Sequence, residues 1–78
     1  MAAMTIRDLD TSGLKCPLPV LKAKKALGAL DSGDRLRVVC TDPSALKDFP
    51  AYCETAGHAL LETTNEGSKY VFLIEKVS

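Results

Sequence analysis

Two proline-opened helical stretches with a strand-patterned segment between them constrain the fold of this chain more than any other feature. From Pro17 to about Leu30, Val20, Ala23, Leu27 and Leu30 recur at helical spacing, with lysines on the opposite side. Gly28 weakens the last turn, and Asp31-Ser32-Gly33-Asp34 ends it. Thr41-Asp42-Pro43 then offers a polar cap followed by proline, a second helix start. Leu46, Phe49, Cys53 and Ala56 give that helix one apolar stripe, and Gly57 closes it. Pro50 falls inside the stripe, where it lacks an N–H and crowds the preceding turn, so a kink or break is expected there.

The remaining segments read as strands. Leu36, Val38 and Cys40 share one face of residues 35–41, with Arg35 and Arg37 on the other. Residues 5–10 form a ragged strand candidate. Residues 58–64 and 69–77 read as a hairpin around Glu66-Gly67-Ser68. Tyr70, Phe72 and Ile74 share a face, but Val71 and Leu73 are apolar too, which suits a central strand covered on both sides.

The order β-α-β-α-β-β, joined by right-handed crossovers, places both helices on the same side of the sheet. The expected fold is α+β: a two-layer α/β sandwich, with a four-stranded mixed sheet and two helices on one face. A single domain spanning residues 1–78 is expected, close to the size at which one core is only just sufficient. The other sheet face stays open and can serve as a docking surface, although scattered exposed hydrophobes need no explanation.

Composition removes several classes of function. Apolar residues make up 46% of the chain, which fits a compact soluble fold rather than disorder. Ten basic residues balance ten acidic ones, which argues against a general nucleic-acid binder. No run approaches a membrane span, and Met1-Ala2-Ala3-Met4 lacks the apolar stretch of a secretory signal, so a cytosolic protein is expected, with Met4 an alternative start. Three widely spaced cysteines do not make a disulfide framework and fit a reducing compartment.

Cys16 is the residue that points to chemistry. It stands in Gly13-Leu14-Lys15-Cys16-Pro17-Leu18-Pro19. Pro17 suits the first helical position, which makes Cys16 the N-cap. Ser, Thr, Asp or Asn would cap better, so a cysteine here suggests a thiolate favoured by the helix terminus. Pro17 and Pro19 remove two of the first N–H groups and leave the Leu18 amide as the nearest donor for the sulfur. The bland alternative is a helix start and nothing more.

The other reactive side chains read less sharply. Cys53 is a candidate secondary thiol or a resolving partner for Cys16, but its spacing places it with Leu46 and Phe49 in the core stripe. Cys40, inside a strand, is structural. A metal site from Cys16, Cys40, Cys53 and His58 lacks the Cys-x-x-Cys pair that would anchor it, so no metal is expected, and His58 instead starts a strand near the surface. Arg35, Arg37 and the lysines of the first helix are a solvated face or the basic half of a partner interface.

The Cys16-Pro17-Leu18-Pro19 run resembles the Cys-Pro-x-Pro signature of the TusA-like (SirA/YedF-type) sulfur-carrier family. The similarity extends from Leu9 to the last strand. It includes Gly33-Asp34, Asp42-Pro43 and Phe49-Pro50 followed by Cys53. The resemblance implies that Cys16 accepts a sulfane sulfur as a persulfide from a cysteine desulfurase or rhodanese and relays it to an acceptor protein. It further implies a sulfurtransferase-type role inside a multi-protein relay serving tRNA 2-thiolation, molybdenum-cofactor maturation or sulfur oxidation. No cofactor beyond the transient persulfide is expected, and neither stable nucleic-acid binding nor a membrane partner. Pro17, Leu18 and Pro19 would shape the site. The alternatives are a thiol redox protein using Cys16 with Cys53, or a noncatalytic interaction module.

Overall fold

The computed structural model describes residues 5–77. Met1–Met4, with the alternative start at Met4 and the lack of a secretory apolar stretch expected there, lie outside the described residues. Strand β1 (Ile6–Thr11) leads into helix α1 (Leu18–Gly28), then β2 (Arg35–Cys40), α2 (Ala45–Ala56), β3 (Ala59–Glu66) and β4 (Lys69–Glu75). The four strands form one sheet in the order β1-β2-β4-β3. β1 and β2 are parallel, whereas β4 runs antiparallel to both β2 and β3, so the sheet is mixed as expected.

Alternation decides which face of each strand is buried. Leu36, Val38 and Cys40 of β2 and Phe72 and Ile74 of β4 point to the helix-covered face and are completely buried. Ala23 and Leu27 of α1 and Ala45, Phe49 and Cys53 of α2 close over them, so both helices cover the same face. Phe49 and Phe72 stack at the centre, with ring centroids 4.6 Å apart. The stripe of α2 is rotated slightly from the expected one: Ala45 is buried, while Leu46 is 43% exposed.

The opposite face carries the residues of the other parity. Two ion pairs lie there, Arg37 Nε to Asp8 Oδ1 at 2.7 Å and Arg35 Nε to Glu75 Oε1 at 3.4 Å. β4 is central, as its composition suggests. Phe72 and Ile74 are buried on the helix side, whereas Val71 and Leu73 on the open side are only half-buried.

Pro50 does not break α2: of the kink or break expected there, the break is not found, and the helix runs unbroken from Ala45 to Ala56. The physical reason is position. The carbonyl that loses a donor is that of Leu46, and both Leu46 and Pro50 lie on the exposed side, where solvent reaches that carbonyl. The helix ends at Gly57, whose φ of 80° places it in the left-handed region and lets its N–H return to the Cys53 carbonyl.

Candidate functional site

The C-terminal ends of the parallel strands β1 and β2 lie side by side, with Thr11 opposite Cys40 in register. The loops that follow them, 12–17 and 41–44, therefore meet at one edge of the molecule. Thr11 anchors this end. Its side chain is fully buried, and its hydroxyl donates to the Val39 carbonyl at 2.6 Å. The Leu14 N–H donates back to the Thr11 carbonyl at 3.1 Å, and Gly13 takes a φ of 82° that a side chain would rarely tolerate.

Two polar bridges join the loops. The Gly13 N–H donates to Thr41 Oγ1 at 2.8 Å, and the Cys16 N–H donates to Asp42 Oδ2 at 2.7 Å. Asp42 also accepts the Ser44 N–H on Oδ1 at 3.0 Å, so one carboxylate ties the cysteine loop to the start of α2. Those N–H bonds, first that of Cys16 and then that of Ser44, hold the Asp42 carboxyl below its ordinary range. Between the loops lies a cleft of about 360 Å³ bordered by Gly13, Leu14, Lys15, Thr41, Asp42 and Pro43.

Cys16 is exposed at this corner, whereas Cys40 and Cys53 are buried; all three are free thiols. The helix begins one residue later than expected: Pro17 occupies the cap position, with φ −96° and ψ 13°, and Leu18 is the first helical residue. Cys16 is therefore not the N-cap. The Leu18 N–H is engaged at 2.9 Å by the Lys15 carbonyl and is not a donor to the sulfur. Pro17 and Leu18 are exposed beside the thiol, while Pro19 is buried and fastens the first turn to the core.

The sulfur has a different partner. Cys16 Sγ donates to Asp48 Oδ2 at 2.6 Å, across a separation of 32 residues. This bond to the Asp48 carboxylate, followed by partial desolvation and by the Asp48 and Asp42 charges, pushes the thiol above its ordinary range. The expected lowering by the helix terminus is thus reversed. Sequence patterns gave no warning of Asp48, because an acidic residue in the first turn of a helix reads as an ordinary complement to the helix dipole.

The remaining candidates are not brought to this corner. Cys53 is 2% exposed and packs in the α2 stripe, and burial pushes its thiol up as well. Cys40 is fully buried, its Sγ 3.9 Å from the Asp42 carbonyl oxygen. His58 lies just before β3, where its Nδ1 accepts the Val77 N–H at 3.3 Å. Among the described residues, no group of three or more His, Cys, Asp and Glu side chains is placed to hold a metal ion, so Cys16, Cys40, Cys53 and His58 are not assembled into one. No helix among the described residues is long and apolar enough to cross a membrane.

This geometry can be set beside known proteins. The chain is 51% identical over 70 residues to the sulfur carrier protein TusA of Allochromatium vinosum, covering 90% of this chain and 92% of that protein. It is 40% identical over 68 residues to the sulfur carrier protein TusA of Pseudomonas putida, covering 87% of this chain and 85% of that one. A crystal structure of a SirA-like protein from Desulfitobacterium hafniense superposes with a TM-score of 0.80 at 25% identity, covering 95% of this chain and all of that one. Residues 7–76 match the family model described as sulfurtransferase TusA, and the chain belongs to that family.

Proposed function

We propose that this protein is a sulfur carrier that takes up a sulfane sulfur on Cys16 and passes it to an acceptor protein. The observation that carries the reading is the contrast among the three thiols: Cys16 is exposed on a braced corner, and Cys40 and Cys53 are buried. The similarity to proteins named as sulfur carriers supports it.

In the loading step, Cys16 Sγ attacks the terminal sulfur of a persulfide on the donor protein. A bond forms between Sγ and that sulfur. The donor's S–S bond breaks, and its electron pair stays on the donor cysteine. The proton released from Cys16 goes to that departing thiolate, so a thiol and a persulfide give a persulfide and a thiol, with no net oxidation. The hand-off step is the same exchange with an acceptor thiol as the attacking group. Both steps need the sulfur to reach a second protein's active site, which fits the exposed corner. Its proline-rich turn, bound to Asp42, has little conformational entropy left to lose on docking.

The donor class that fits this exchange is a cysteine desulfurase or a rhodanese, each of which presents a cysteine persulfide. The acceptor belongs to tRNA 2-thiolation, molybdenum-cofactor maturation or sulfur oxidation, and the protein acts in a reducing cytoplasm. The deciding experiment is intact-protein mass spectrometry after incubation with a desulfurase and cysteine, for wild type and Cys16→Ala. One added sulfur atom on wild type alone, removed by reductant, is the expected result. Loading that persists in Cys16→Ala moves the site to a buried thiol, and no loading from a panel of desulfurases and rhodaneses overturns the reading.

A further inference from the structure

The geometry points to Asp48 as a positioning residue that holds the empty Cys16 as a neutral thiol and thereby favours the empty protein over the sulfur-loaded one. This rests on the carrier reading above. Its physical basis is the 2.6 Å contact between Cys16 Sγ and Asp48 Oδ2. A carboxylate is an acceptor only, so the proton in that contact belongs to sulfur. The contact exists as long as Sγ bears a proton and is lost when it does not.

Loading removes that proton. In the persulfide, Sγ is bonded to carbon and to the second sulfur, and the acidic proton belongs to the outer sulfur, one S–S bond of about 2 Å further out. Sγ then has nothing to donate. The outer sulfur ionises more readily than a thiol, and as an anion it is repelled by the same carboxylate. Asp48 therefore stabilises one state and disfavours the other. On hand-off, an acceptor thiol attacks the outer sulfur. The Sγ–S bond breaks with its pair on Sγ, the acceptor's thiol proton ends on Sγ, and the contact to Asp48 re-forms.

The groups around Cys16 reinforce this sign. Asp48 approaches from α2, and Asp42 from the loop before α2; both charges push the thiol up, and the Cys40 thiol on β2 adds in the same direction. The cation on the cysteine's own loop, Lys15, acts on Asp42. Asp48, by its bond and its charge, and Asp42, by its charge, both favour the protonated sulfur. A thiol held protonated is also a slow target for peroxide and small electrophiles, since the thiolate is the reactive form.

The test compares wild type, Asp48→Asn and Asp48→Glu, with far-UV circular dichroism to establish that each is folded. The first readout is the rate of Cys16 alkylation by iodoacetamide from pH 6 to pH 10. The inference expects the Asp48→Asn profile to move to lower pH, with alkylation at pH 7 at least about threefold faster than wild type, and Asp48→Glu to return part of the way. The second readout is the partition of sulfur between Cys16 and glutathione, which should shift several-fold towards the protein in Asp48→Asn. Superimposable alkylation profiles for wild type and Asp48→Asn overturn the inference, as does an unchanged or opposite sulfur partition. A wild-type protein that takes no sulfur strikes instead at the carrier reading, and the alkylation profiles still decide the role of Asp48.

Discussion

The main-chain N–H of Cys16 is bound by the side chain of Asp42, 26 residues further along the chain, at 2.7 Å. This bond fixes the backbone of the cysteine rather than its sulfur. It also spans the gap between the two loops that leave the parallel strands. The placement of the thiol therefore depends on a carboxylate charge, and that charge can be titrated.

The folded-state pKa of Asp42 lies below the ordinary aspartate value of 3.8, chiefly through the Cys16 N–H bond. For a depressed carboxyl, the stabilisation is fully present above the unfolded value and is lost as pH falls through the folded one. Amide hydrogen exchange at Cys16 should accordingly be protected at pH 5 and above and lose protection only below pH 3.8. Asp42→Ala should abolish that protection at every pH. Protection that survives the substitution would show that the loop is held by something else.

Cys53 is expected to contribute packing and no sulfur chemistry. It is 2% exposed in the α2 stripe, its thiol pushed up by burial. Cys53→Ala removes only one buried sulfur and should cost about 1 kcal/mol. For a domain of this size, that is a fall of about 4–8 °C in Tm. Cys53→Ser places a hydroxyl among apolar neighbours and should cost about 1–3 kcal/mol. Sulfur loading by mass should be the same in both variants as in wild type. Loss of loading in Cys53→Ala, with the fold intact, would return Cys53 to the chemistry as a resolving or relay thiol.

Phe49 couples the core to the site. It is fully buried, stacks on Phe72 at 4.6 Å, and directly follows Asp48 in α2. Phe49→Ala should cost about 3–5 kcal/mol. The whole domain is expected to have about 4–12 kcal/mol of stability, from about 0.05–0.15 kcal/mol per residue. A thermal melt should therefore show a severely lowered Tm. Where the variant still folds, Cys16 alkylation should quicken because Asp48 no longer has a fixed seat. A melt within 5 °C or so of wild type would mean that α2 is not held through this ring pair.

The secondary structure was legible because it is written locally. The alternation of Leu36, Val38 and Cys40 and the helical spacing of Ala23 and Leu27 name the buried faces without reference to the rest of the chain. Cys16 as the exposed thiol was legible for a similar reason, since a proline corner before a helix lies at the surface. Its electrostatics were not. The nearby Leu18 amide, the donor suggested by proximity in sequence, is taken by Lys15, while the actual partner lies 32 residues away on another helix. A contact between the cysteine loop and α2, brought together at the end of the sheet where the parallel strands β1 and β2 finish, has no periodic signature. The one-residue shift of the helix start and the burial of Ala45 instead of Leu46 are of the same kind, settled by how α1 and α2 seat on the sheet.

Pro50 offers a test of how α2 tolerates an interior proline. The helix continues through it, leaving the Leu46 carbonyl without an intrahelical donor on the exposed side. Replacing it by alanine restores that N–H and relieves the ring, a gain of about 3 kcal/mol in a helix interior, offset by about 1 kcal/mol because the unfolded chain becomes freer. Pro50→Ala should therefore be more stable by about 2 kcal/mol, seen as a Tm raised by about 8–16 °C. Asp48 lies on the N-terminal side of Pro50, in the first turn of α2. Its contact with Cys16 should persist, and the pH profile of Cys16 alkylation should match wild type. An unchanged Tm would mean that the helix has already adjusted to the proline at no cost. A shifted alkylation profile would mean that Pro50, through the local geometry of α2, sets the position of Asp48.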